Sequence, residues 1–180
     1  MILRKAQAKE LPQIWKILQY AIERRKQDGS EQWQNGYPNE QSIQDDLDMG
    51  YAYVVSEGPE LLAYAAVIFG KEPAYEAIQG QWLSNQDYVV LHRIAASPLA
   101  RGKQVASWLL GQVELLCRQQ QVYSIKVDTN FDNIPMLKIL ERSGYTYCGE
   151  VFFHGSARRA YEKVLPQRSS ERNDQPVLLQ

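Results

Sequence analysis

Hydrophobic positions recur along the chain with two distinct periods. From Lys9 to Lys26 the residues Leu11, Ile14, Leu18, Ala21 and Ile22 share one face at helical spacing. A shorter helix is predicted over Glu40–Met49, capped by Asn39 and carrying the acids Asp45, Asp46 and Asp48. The strongest helical pattern runs from Gly102 to Gln120, with Val105, Trp108, Leu109, Val113 and Leu116 on one side. A fourth helix is predicted over Ile134–Arg142, with Asn133 as its cap, Pro135 in its first turn and Gly144 closing it. Alternating or continuous apolar runs predict strands at Ile2–Lys5, Tyr51–Ser56, Leu61–Phe69, Tyr88–Ala96, Val122–Val127, Tyr145–Phe153 and Ala157–Leu165. Of these, Tyr88–Ala96 is long and mostly apolar, as a central strand should be. Glu57-Gly58-Pro59-Glu60 reads as a hairpin turn, and His154-Gly155-Ser156 as the turn between the last two strands. Pro73–Trp82 reads as irregular or briefly helical. Asp28–Asn39 is a polar, turn-rich connection holding two aromatics, Trp33 and Tyr37. The order β-α-α-β-β-β-α-β-α-β-β predicts an α/β layered domain, with a mixed sheet flanked by helices, over residues 1–165. The composition turns polar from Pro166, and a loose tail is expected over 166–180.

Composition narrows the function classes. The 180 residues suffice for one domain with a real core. A net charge of −1 and the lack of a long basic stripe argue against a dedicated nucleic-acid or membrane-surface binder. Cys117 and Cys148 make no disulfide framework, and Cys117 falls on the apolar side of its helix. With His92 and His154 the sole histidines there is no zinc pattern, and no metal is expected. The opening MILRKAQAKEL has no apolar secretion-signal core, and no run approaches membrane-spanning length; a cytoplasmic setting is expected.

The candidate chemistry begins at Leu91–Ala106, LHRIAASPLARGKQVA. A strand ends at Ser97-Pro98, and a basic turn, Arg101-Gly102-Lys103-Gln104, opens into a helix. Backbone N–H groups at a helix start point at an anion, and the helix dipole favours negative charge there. Neither G-x-G-x-x-G nor G-x-x-x-x-G-K-S/T is present, so the familiar dinucleotide and P-loop cradles are excluded. What remains is R-x-x-x-x-A from Arg101 to Ala106, followed later by the Asn133-led helix.

This pattern resembles the GNAT superfamily of acyl-CoA-dependent N-acyltransferases. That family's phosphate-binding signature is Gln/Arg-x-x-Gly-x-Gly/Ala. Arg101, Val105 and Ala106 fit it, and Gln104 stands where its first glycine belongs. HRIAASPLARGK is similar to the family's strand-then-loop segment, and VDTNFDNIPMLKILERSGY to its strand, Asn-led helix and closing Gly-aromatic pair. The helix–helix–hairpin order also fits, so the resemblance spans residues 2–165. It implies a GNAT-like mixed sheet and acetyl-CoA as co-substrate. The pyrophosphate would lie on the amides of Arg101, Gly102, Lys103, Gln104, Val105 and Ala106. The pantetheine arm would lie along Ile94, Ala95 and Ala96, with Asn133 touching it. Lys103 reads equally as a solvated lysine, and Asn133 as a helix cap. Gln104 cannot take a glycine-only conformation cheaply.

By the same resemblance the chain is an N-acetyltransferase that moves an acetyl group directly to a primary amine of a small molecule or peptide; the family's frequent dimers leave a homodimer open. Where many members carry a proton-donating Tyr, this chain has Leu140, which donates nothing. His92, on the central strand and on the face expected for Ile94, is the candidate base; a buried structural histidine is the competing reading. Trp33 and Tyr37 are candidate walls of an acceptor pocket, and Glu31 a candidate holder of the amine. The acids of the second helix either attract a cationic acceptor or form a solvated face. A non-catalytic acyl-CoA-binding module is the alternative function, and Gln104 and Leu140 are the features that favour it.

Overall fold

The computed structural model describes residues 1–153 and 155–167. His154, and residues 168–180 of the expected tail, lie outside these. Among the described residues, eight strands form one mixed sheet in the order β1-β2-β3-β5-β6-β8-β7-β4. The strands are β1 (Ile2–Lys5), β2 (Ala52–Glu57), β3 (Glu60–Phe69), β4 (Gln79–Gly80), β5 (Val89–Ala96), β6 (Ser124–Thr129), β7 (Thr146–Phe153) and β8 (Ser156–Val164). The helices are α1 (Leu11–Gln27), α2 (Glu40–Asp48), α3 (Pro73–Glu76), α4 (Val105–Gln119) and α5 (Ile134–Arg142). No helix of the described residues is long and apolar enough to cross a membrane.

Two core layers cover the sheet. Val89, Leu91, Ile94 and Ala96 of β5 join Val105, Leu109, Leu110, Val113 and Cys117 of α4 and Leu137 and Leu140 of α5 in one. Ala95 joins Ile14, Ile17 and Leu18 of α1 and Ile43 of α2 in the other. Burial of these apolar faces, rather than helix propensity, holds the helices on the sheet.

The central feature is how β5 and β6 meet. They are parallel, and pair only at Val89↔Ile125, Val90↔Lys126 and Leu91↔Val127. Beyond Leu91 the strands part, so the β6-facing edge of His92–Ala96 has no partner strand among the described residues. A bulge falls at the same place. On the other edge Ala66 pairs with His92 and Tyr64 with Ala95, so Ala65 opposes both Arg93 and Ile94. Arg93 takes φ 54 there. The extra residue breaks the alternation. His92 therefore does not share the face of Ile94, contrary to strict strand periodicity; Ile94 turns to the α4 core and His92 to the opposite layer.

Two smaller departures from the sequence pattern bear on the site. α4 starts at Val105, not Gly102, because Gln104 is left-handed (φ 50, ψ 34) and ends the turn before the helix begins. β4 was not legible at all. It pairs Gly80 with Gly149 of β7 so tightly that a Cβ on either would meet backbone oxygen at 2.1–2.2 Å.

Candidate active site

The cofactor-side turn is built from sequence outward. Ser97-Pro98 ends β5, and a single 3₁₀ turn follows over Pro98–Ala100. The Arg101 N–H is spent on the Pro98 carbonyl (3.2 Å), and the Lys103 N–H on Ala100 (3.0 Å). The N–H groups of Gly102, Gln104, Val105 and Ala106 find no acceptor among the described residues. Of the six amides named from the sequence, these four remain unspent, at the positive end of a 15-residue helix. The left-handed backbone of Gln104 lets this residue present its N–H as a glycine would. Lys103 is an exposed lysine, and its ammonium pairs at the surface with Glu57 of the β2–β3 hairpin, which holds that carboxyl below its usual range. Arg101 is exposed.

Asn133 fills its cap role, its side-chain oxygen accepting the Met136 N–H at 3.3 Å. It also ties the α1–α2 loop down. That oxygen accepts from Arg25 at 2.9 Å, and its amide donates to Gln32 at 2.9 Å, while Ser30 donates to the neighbouring Asp132 at 2.9 Å. The Asn133 oxygen is thus committed twice, while its amide nitrogen spends one of its two N–H groups on Gln32 and keeps the other.

Where β5 and β6 part, a narrow cavity of about 40 Å³ opens. Trp33, Tyr37, His92, Asp128, Asn133 and Arg158 are among the residues lining it. The structure thus brings together the candidate base and both candidate acceptor walls, which lie far apart in sequence. Glu31 is exposed and is not among the lining residues.

His92 sits in a polar cluster that only the fold assembles. Its Nε2 meets Glu72 Oε2 at 3.0 Å, and its Nδ1 lies 3.7 Å from Asp128 Oδ1. Glu72 caps α3 with its other oxygen, accepting the Ala74 N–H at 3.2 Å. The His92 hydrogen bond, opposed by partial burial, holds the Glu72 carboxyl below its usual range. Asp128, its side chain 1% exposed, also accepts Tyr75 Oη at 2.7 Å and Arg158 Nη1 at 3.4 Å. Burial, reinforced by Asp128, pushes the Tyr75 hydroxyl well above its ordinary value, so Tyr75 stays a neutral donor. Glu72, Tyr75 and Asp128 escaped sequence reasoning, and Arg158 was not singled out within the last hairpin, Phe152 to Arg159, which the resemblance places on the acceptor side. Glu72 lies just before Pro73–Trp82, the segment read as irregular or briefly helical, and Asp128 lies just beyond the expected end of its strand.

On the neighbouring side the bulge aims Arg93 at Asp46 of α2, with Nε at 2.8 Å and Nη2 at 2.5 Å. Asp46 also accepts the Tyr64 hydroxyl, and Arg93 Nη1 donates to the Tyr37 hydroxyl. Asp46 is therefore buried, and the expectation of a solvated acidic face holds for Glu40, Asp45 and Asp48 but not for Asp46. Through Arg93 it fixes one wall of the cavity. Leu140 is fully buried in the α4–α5 core. The cysteines are buried and free; burial pushes the Cys117 thiol up to about 12 and raises that of Cys148. Neither is a nucleophile in waiting.

Residues 14–145 match the acetyltransferase (GNAT) family. The chain belongs to that family. Its fold is that of the GNAT acetyltransferases, and it is an acyltransferase. A GNAT-family acetyltransferase structure from Streptococcus agalactiae is 38% identical, with a TM-score of 0.84 over 92% of this chain and 96% of that one. A putative acetyltransferase from Staphylococcus aureus superposes with a TM-score of 0.71 at 23% identity, covering 92% of this chain and all of that one. A putative acetyltransferase from Salmonella typhimurium, solved with its cofactor acetyl-CoA, shares the fold at 13% identity, with a TM-score of 0.64 over 96% and 98% of the two chains. No curated protein matches the chain.

Proposed function

We propose that the protein is an acetyl-CoA-dependent N-acetyltransferase that transfers the acetyl group directly to an amine seated against His92. The observation that carries this reading is the juxtaposition, across one strand, of two half-sites. On the α4 side lie the amides of Gly102, Gln104, Val105 and Ala106, with the unpaired edge of Ile94, Ala95 and Ala96 leading to them. On the other side lie His92 and its aromatic-walled cavity. Four amides without acceptors at a helix start fit a pyrophosphate, and an open strand edge fits an amide-bearing arm. When bound, acetyl-CoA supplies an activated acetyl thioester.

The chain's own residues supply positioning and the proton path. Glu72 accepts the Nε2 proton of His92, which assigns the neutral tautomer and leaves Nδ1 as the basic atom. An ammonium acceptor loses its proton to Nδ1. The imidazolium so formed is flanked by Glu72 at 3.0 Å and Asp128 at 3.7 Å. Trp33 and Tyr37 form the rim and shed water from the reacting end. With Leu140 in the core, no tyrosine from α5 reaches the leaving thiolate. The imidazolium would return the first amine proton to the departing sulfur, and the second, released as the amide forms, would pass through the same ring to solvent; proximity carries much of the remaining rate.

Thiol release from acetyl-CoA across an amine panel tests the reading. Turnover is expected with some primary amines. His92→Gln is expected to lower kcat/KM by roughly 10²–10³ and to change the shape of the pH–rate profile, with acetyl-CoA affinity unchanged. An unaltered profile in His92→Gln removes the base assignment. Cofactor binding with no turnover for any amine returns the protein to the non-catalytic acyl-CoA-binding reading.

A further inference from the structure

We propose that the acceptor carries a carboxylate beside its amine, as a free α-amino acid does, and that Arg158 of β8 binds that carboxylate. The inference rests on the transfer reading above and names its substrate class.

Arg158 lines the same cavity as His92, Trp33 and Tyr37, and its side chain is 21% exposed. Its guanidinium is poorly satisfied. Nη1 reaches Asp128 Oδ2 at 3.4 Å, well beyond the 2.7–2.9 Å usual for a charge-assisted bond. Nε is buried with no partner, and Nη2 has no acceptor among the described residues. Asp128 cannot answer this deficit, because its other oxygen is committed to Tyr75 at 2.7 Å. The guanidinium is also held in place, its carbon 5.0 Å from the centre of the Phe153 ring. An arginine fixed at a cavity wall with donors to spare is built for a planar, two-oxygen anion.

The spacing decides the class. His92 Nδ1 and Arg158 Nη1 bracket a single carboxylate, lying 3.7 Å and 3.4 Å from the two oxygens of Asp128. Base and guanidinium are thus close neighbours. An acceptor that meets both must carry amine and carboxylate on one carbon or within a short span. Asp128, beside His92 Nδ1, faces the cation end, and Arg158 the anion end.

The test compares matched pairs that differ only by the carboxylate: tyrosine with tyramine, phenylalanine with phenethylamine, and lysine with cadaverine. Thiol release is measured for each. In parallel, calorimetry with coenzyme A present measures binding of the acetylated products, N-acetyltyrosine against N-acetyltyramine. The carboxylated member is expected to bind and react at least about tenfold better. Arg158→Gln is expected to erase that preference and Arg158→Lys to restore part of it, with acetyl-CoA affinity and melting temperature little changed. The proposal is overturned if the neutral member matches or beats its partner, if Arg158→Gln weakens both members equally, or if neither product binds. Thiol release without carboxylate preference leaves the transfer reading standing and removes this one. Arg158-dependent product binding with no turnover does the reverse.

Discussion

Trp33, Arg93 and Gln104 have φ of 66, 54 and 50, a left-handed backbone that side chains with a Cβ avoid at a cost of about 1–2 kcal/mol each. All three belong to the site: Trp33 to the cavity rim, Arg93 to the bulge that anchors Tyr37, Gln104 to the amide cradle. Strain kept at a site is strain the surroundings enforce. The sequence showed Gln104 only as a mismatch in a glycine position. It could not show that the backbone adopts the glycine-like conformation anyway. From this follows a prediction: Gln104→Gly leaves acetyl-CoA affinity within roughly threefold of wild type, because the amide and its direction are already in place. A change beyond about tenfold in a calorimetric titration means that the Gln104 side chain itself touches the ligand. His92 was legible as the candidate base within Leu91–Ala106. Its partners were not, since Glu72, Asp128 and Arg158 come from three separate segments that meet only in the folded sheet.

Most elements could be read from periodicity, because burial follows it. α5 runs over Ile134–Arg142 with its Asn133 cap as expected, and α2 is capped by Asn39 through the Ser42 N–H. The strand expected over Val122–Val127 lies instead at Ser124–Thr129. There the alternation continues through polar residues, because Lys126 and Asp128 are buried by partners rather than by apolar character. β4 is two residues long and leaves no period to detect. The α1–α2 connection reads as a polar loop, yet Ser30 and Gln32, with Arg25 at the end of α1, fasten it to Asp132 and Asn133 across the opening between β5 and β6. Asn133→Ala removes the α5 cap and both of its ties at once. It is expected to cost about 1–2 kcal/mol in denaturant unfolding and to raise the acceptor KM more than it lowers kcat, since the rim carrying Trp33 loosens. An unchanged KM would show that the rim is held without this asparagine.

The whole molecule depends on a few carboxylates that join its parts. Glu10, before α1, accepts two bonds from Arg4 of β1 at 2.7 and 3.0 Å, and these hold its carboxyl below the ordinary value. Glu72 is held low by His92 in the same way. A carboxyl depressed by folding contributes stability that is complete above the ordinary carboxyl pKa, near 4.5, and lost as pH falls through the lower folded value. Stability is therefore expected to fall off below pH about 4.5, and Glu10→Gln to cost about 1 kcal/mol at pH 7 while flattening that acid limb. An acid limb unchanged in Glu10→Gln would assign the loss to other groups. At this scale the layered sheet was legible and the parting of β5 from β6 was not, because a bulge depends on which residues face each other across strands. That parting puts an amide cradle and a base-bearing cavity on opposite sides of one strand, which is the core of the functional account. A calorimetric titration of acetyl-CoA into the intact protein tests it most directly. The account predicts one site with a micromolar dissociation constant, lost in Gly102→Glu, where charge and bulk meet the pyrophosphate, and kept in His92→Gln. No heat at millimolar acetyl-CoA, or equal affinity in Gly102→Glu, would contradict it.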